Sequence, residues 1–117
     1  MAEGIHLTSI GEGSLLAEPT EGFDPSDPDR HLPELFQSLH HRRARLLFFD
    51  LSQTPLIDSV YYRWLEDLAA TCRLAGAELT AVNMQPTAAF ALARHLEAAP
   101  SFTCQREVGL GPKPSGA

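Results

Sequence analysis

The sequence predicts an α/β domain: a mixed sheet of four or five strands with three or four helices, packed largely on one face. Three observations predict it. Short apolar runs of strand character alternate with segments whose apolar residues recur at helical spacing. The first two runs are joined by a glycine turn, as in a hairpin. From there on each strand is followed by a helix, the pattern of parallel strands joined by right-handed crossovers. At 117 residues the chain has the size of one domain. We assign 1–108 to that domain and 109–117, rich in Gly and Pro, to a frayed tail.

The elements follow in order. Residues 4–10 alternate loosely, with Ile5 and Leu7 facing one way, and Gly11-Glu12-Gly13 supplies a turn. Residues 14–18 carry Leu15 and Leu16 on the second strand. A loop rich in Pro, Asp and Gly spans 19–28. Asp27 or Asp29 can cap the next helix, because a carboxylate satisfies orphan amides of the first turn. Pro33 still falls in that turn, where no intrahelical amide bond is lost. Leu32, Leu35, Phe36 and Leu39 recur at helical spacing. His40, His41, Arg42 and Arg43 close the helix, where positive charge suits the negative dipole end.

Arg45 to Leu51 reads Arg-Leu-Leu-Phe-Phe-Asp-Leu, and four successive apolar residues suggest a strand covered on both faces. After a loop over 52–55, Val60, Trp64, Leu65, Leu68, Ala69, Cys72 and Ala75 form a helical stripe. Gly76 stops it at the usual position. A short strand over 78–82 comes next. A helix then starts at Pro86, with Ala89, Phe90, Ala93 and Leu96 on one side, and ends before Pro100. Residues 101–104 form the last strand.

Charge narrows the function classes. Fifteen acids against nine bases leave a formal charge of −6. Glu3, Glu12, Glu18, Glu21, Asp24, Asp27 and Asp29 all fall within residues 1–29, which hold no Lys or Arg. This acidic start reads as a solvated edge and loop, or else as a partner-docking surface. Sequence-independent binding to nucleic acid or to an anionic membrane needs a positive field, so neither is expected. No apolar run approaches the ~20 residues of a membrane span. The first residues, Met-Ala-Glu-Gly, carry no basic stretch or apolar signal core, so a cytoplasmic location is expected. Cys72 and Cys104 lack metal spacing and sit among apolar neighbours, which reads as two inert buried thiols.

The most suggestive local feature is Pro55-Leu56-Ile57-Asp58-Ser59, which follows a buried strand and opens the longest helix. A hydroxyl at a helix N-terminus is accessible, and the unpaired amides there accommodate a phosphate. Local physics alone favours the plainer reading, in which Asp58 or Ser59 is only an N-cap.

The segment Leu47-Phe48-Phe49-Asp50-Leu51-Ser52-Gln53-Thr54-Pro55-Leu56-Ile57-Asp58-Ser59 resembles the central signature of STAS domains, the fold of bacterial anti-sigma-factor antagonists. There a strand ending in Asp-Leu-Ser leads through a short loop to Asp-Ser or Asp-Thr at a helix start. Asn83-Met84-Gln85-Pro86-Thr87-Ala88-Ala89 is similar to the Gly-Met-Gln-Pro-Ala-Val-Ala run of the stressosome scaffold antagonists. The resemblance covers roughly residues 5–108. It implies a protein-interaction module that binds a serine/threonine kinase and is switched by phosphorylation at Ser59, without catalysis or cofactor. It also implies that other STAS proteins can join it in a homo- or hetero-oligomer. The implied partner surface comprises Asp58, Ser59, Tyr61, Tyr62 and Arg63 with Ser52 and Thr54 beside them. A small cytoplasmic STAS subunit of a transport system, without phosphorylation, is the alternative.

Two departures stand out. Small residues often follow the Asp-Ser pair in that family, whereas this chain has Val60, Tyr61, Tyr62 and Arg63. The tyrosines either reach a partner or one of them packs inward. The family also tends to end in a helix, which Gly109-Leu110-Gly111-Pro112 disfavours.

Enzyme readings are thin. Asp50, Asp58 and Ser59 lack a sequence-identifiable base or oxyanion loop, and a minor activity through Ser59 or a cysteine is the residual possibility. His40-His41 has no acidic partner at metal spacing, and His31 and His95 are isolated, so no metal site is expected. No P-loop or G-x-G-x-x-G occurs. Arg42, Arg43 and Arg45 make too small a patch for a nucleic-acid footprint.

Overall fold

A computed structural model describes residues 4–96 and 99–108. The expected tail over 109–117 lies outside the described residues. The order is β1 (Ile5–Gly11), β2 (Ser14–Pro19), α1 (Pro28–His41), β3 (Leu46–Asp50), α2 (Ser59–Leu74), β4 (Glu78–Val82), α3 (Pro86–Ala93) and β5 (Thr103–Gln105). The five strands lie side by side in chain order. β1 and β2 form an antiparallel hairpin, and β2 to β5 are parallel. This is the mixed α/β sheet with three helices that the alternation of elements implies.

Register defines the core face. Leu15, Leu47 and Leu79 are aligned across β2, β3 and β4, as are Ala17, Phe49 and Ala81. Side chains two residues apart on a strand share a face. These six residues form one cluster with Leu35 and Leu39 of α1, Trp64, Leu65 and Leu68 of α2, and Ala88 and Leu92 of α3. All three helices therefore cover the same side of the sheet. Phe48 and Val82, of opposite parity, are buried as well.

Both long helices end in the same motif. After α2, the Gly76 and Ala77 N–H groups donate to the Arg73 and Cys72 carbonyls, with Gly76 at φ +82. After α1, the Arg43 and Ala44 N–H groups donate to the His40 and Leu39 carbonyls, with Arg43 at φ +52. The β2–α1 loop folds back on the start of β1, where Thr20 donates to the Gly4 carbonyl. Gly4, at φ +84, lies so close to Gly22 that a Cβ would stand 2.7 Å from its carbonyl carbon.

Five expectations need correction. α1 starts at Pro28, so Pro33 is its sixth residue, inside the helix rather than in its first turn, and the amide bond to the Asp29 carbonyl is forgone there. Asp27 occupies the N-cap position of α1, yet its carboxylate makes no cap bond. Cys104 is exposed on the edge strand β5, and only Cys72 is buried. Val60 projects outward, 43 % exposed, rather than joining the core stripe. On α3 the inward residues are Ala88, Ala91 and Leu92, whereas Ala89, Phe90 and Ala93 face out, and the helix stops at Ala93. α3 is apolar on nearly every side, so periodicity cannot choose its face. Its orientation is set instead by polar anchors at its start, described next.

Candidate functional site

The site is built where β3 and β4 end. Asp50 closes β3, and its carboxylate gathers the loop that follows. Oδ1 accepts the Ser52 N–H and the Asn83 side-chain amide, each at 3.0 Å, while Oδ2 accepts the Ser52 hydroxyl at 2.8 Å. Gln85 Nε2 donates to the Ser52 carbonyl at 2.7 Å, and the Thr87 hydroxyl donates to the Pro55 carbonyl. The loop between β3 and α2 is thus stapled to the β4–α3 connection at three points. Asn83 itself sits at φ +59. Asn tolerates this left-handed backbone, for which Gly is the default.

The loop delivers the start of α2. Ile57 is fully buried beneath it. Asp58 is the N-cap, and its Oδ1 accepts the Tyr61 N–H at 2.8 Å. That leaves Ser59 as the first helical residue, exposed to solvent. Ser59, Val60 and Arg63 line an open cavity of about 300 Å³, facing Pro25 and Ser26 of the β2–α1 loop and Pro28 at the start of α1. Leu56, beside Ile57, is 61 % exposed.

The two tyrosines part ways. Tyr61 turns inward, 9 % exposed, and its hydroxyl lies 3.2 Å from Thr54 Oγ1. Burial pushes its pKa up to about 12, against the relief given by Thr54. Tyr61 and Thr54 therefore brace the loop from within, and Tyr61 is no surface contact. Tyr62 is partly exposed and stacks on His95, with ring centroids 5.9 Å apart. Its pKa is raised by desolvation and by Glu66 one turn on.

Of the residues singled out in the sequence, the structure places Asp58, Ser59, Tyr62 and Arg63 on the first turns of α2 and Ser52 on the adjoining loop. Sequence reasoning missed Leu56, Asn83 and Thr87, and also Phe23 and His31. Phe23 packs against His31, Phe49, Tyr61 and Trp64, all with centroids within 5.9 Å. His31 is fully buried, and its Nε2 accepts the Asp24 N–H at 3.1 Å. The Asp24 carboxyl is held below its usual range by hydrogen bonds from Ser26. A lone aromatic in a Pro/Asp loop carries no periodic signal, so only the tertiary fold reveals it.

Two carboxylates here are engaged in structure, Asp50 at the end of β3 and Asp58 at the cap, while Asp67 lines the cavity beside Ser59 and Arg63. No group of three or more His, Cys, Asp or Glu able to hold a metal occurs among the described residues. No helix among them is long and apolar enough to cross a membrane.

No family model matches the chain, and no curated protein does. Among solved structures the fold is similar to the NMR structure of the protein TM1081. The TM-score is 0.62 at 12 % identity, over 85 % of this chain and 78 % of that one. At that identity the likeness concerns the fold.

Proposed function

We propose that this protein is a regulatory interaction module of the anti-sigma-factor antagonist type, which docks a serine/threonine kinase through the start of α2 and is switched by phosphorylation of Ser59. The observation that supports it is the division of labour between Asp58 and Ser59. Asp58 carries the cap, so the Ser59 hydroxyl has no capping duty and stands in solvent at the positive end of the longest helix. A phosphate there adds about −1.5 to −2 charge. Leu56, Val60 and Arg63 flank the hydroxyl and supply an apolar and cationic rim for a partner. Charging the middle of such a face weakens docking by desolvation and repulsion. The pinned loop makes the face a rigid one, which lowers the entropic cost of binding.

The test is a pull-down from the native cell with mass spectrometry, run on wild type, Ser59→Ala and Ser59→Asp. A kinase retained by wild type and Ser59→Ala but lost by Ser59→Asp is the expected result. Equal retention by all three ends the switch model.

A further inference from the structure

The opposite end of the sheet carries a second feature, independent of Ser59. Both long helices close with the same pair of hydrogen bonds, but at the left-handed position α2 has Gly76 and α1 has Arg43. Glycine is favoured there because any Cβ is disfavoured at positive φ. An arginine in that place is a backbone cost that the helix end does not itself require. Helix-dipole compensation does not require it either, since His40, His41 and Arg42 already stand in or at the last turn.

What the turn achieves is a gathering of guanidinium groups. Arg42, Arg43 and Arg45 line one open cavity of about 600 Å³, whose other wall is Glu12 and Gly13 of the β1–β2 turn. All three arginines are exposed. Arg42 donates to Ser9 Oγ at 3.3 Å. Among the described residues none of the three is held in a salt bridge, Glu12 included. In a chain of net charge −6, three cations thus face one carboxylate across a small concavity.

We infer that Arg42, Arg43 and Arg45 form a binding site for a diphosphate group, as in inorganic pyrophosphate or a nucleoside diphosphate. A guanidinium presents a planar fork of donors that matches phosphate oxygens. Three forks drawn from four consecutive positions supply enough paired donors to engage two linked phosphates bidentately, yet span too little surface for a nucleic-acid backbone. Glu12 opposes the charge of the ligand and tempers affinity. Glycine at position 43 would ease the backbone but remove one fork.

Titration of the protein with sodium pyrophosphate and with ADP, followed by amide chemical shifts at fixed ionic strength, tests this. Saturable shifts confined to residues 11–13 and 42–46 are expected, absent with matched sodium chloride. Tighter binding of ADP assigns the site to a nucleotide and equal binding to the bare diphosphate; either upholds it. Arg45→Gln and Arg43→Gly each weaken pyrophosphate about tenfold, the loss of one charge-assisted contact. Glu12→Gln tightens it. Arg43→Gly also melts at a higher temperature than wild type, so its loss of binding is not unfolding. Shifts spread over all arginines, no saturation, or full binding by Arg43→Gly overturns the assignment.

Discussion

The side-chain amide of Asn83 donates to Asp50 Oδ1 at 3.0 Å, tying the end of β4 to the end of β3. Asp50 and Val82 are register partners, so Asn83 is the first residue beyond the paired strands. Its left-handed backbone sits at the point where the chain leaves the sheet. The same carboxylate oxygen receives the Ser52 N–H. One residue pair therefore sets both the loop before α2 and the turn before α3.

Replacing Asn83 separates the two contributions. Asn83→Gly keeps the backbone at ease and removes the hydrogen bond to a charged acceptor, which costs about 1.5–3 kcal/mol before relief of positive φ returns part of it. Asn83→Ala loses the bond and keeps the strain, so it is the less stable of the two. Urea denaturation ranks them. Hydrogen exchange should quicken in residues 51–58 in both variants.

The cap can be examined alone. Asp58→Ala removes the bond to the Tyr61 N–H and costs about 1 kcal/mol, whereas Asp58→Asn retains most of it. Ser59→Ala changes stability by less than about 0.5 kcal/mol, as for other exposed sites away from special features. Thermal unfolding of the three variants checks the assignment of the cap. If Ser59→Ala costs as much as Asp58→Ala, the hydroxyl has a structural duty after all.

Alkaline pH weakens the fold through Tyr61 and Cys72. Burial raises both in the folded state to about 12, from ordinary values of 10.0 for the phenol and 9.0 for the thiol. Each group holds its proton longer in the folded chain than in the unfolded one. Their contribution is therefore complete below pH 9, falls as pH rises from 9 to 12, and is gone above it. Each group adds a slope of about 1.4 kcal/mol per pH unit while only the unfolded form is deprotonated. Tyr61→Phe should flatten the decline above pH 10 relative to wild type, measured by urea midpoints across that range.

His31 is a structural histidine. His31→Ala opens a cavity beside Phe23 and Trp64 and strands the Asp24 N–H, a loss of about 2–4 kcal/mol. His31→Gln can still offer an acceptor and loses less. Trp64 is the single tryptophan, so its emission reports the change directly. An unchanged spectrum and midpoint in His31→Ala would contradict the packing described.

The thiols should differ in reactivity. Cys104 is exposed and modified by iodoacetamide in the native protein, while Cys72 reacts only on unfolding. Desolvation raises the Cys104 thiol, so its modification speeds up only above the ordinary thiol range. Mass spectrometry after partial labelling distinguishes one fast site from two.

The element order and their types were legible in the 117 residues, because strand and helix periodicities differ and the stop signals at Gly76 and Pro86 are local. The Asp58–Ser59 helix start was legible for the same reason: caps act over three or four residues. Three features were not. The inward turn of Tyr61 depends on Phe23 arriving from a loop 38 positions earlier in the chain. The face of α3 depends on Thr87 and Gln85 meeting the β3–α2 loop, since an all-apolar helix has no preferred side of its own. The exposure of Cys104 depends on β5 being the sheet edge, which strand order alone decides. Local hydrogen bonding and periodicity act between neighbours in the chain; burial is a property of what the whole fold brings alongside.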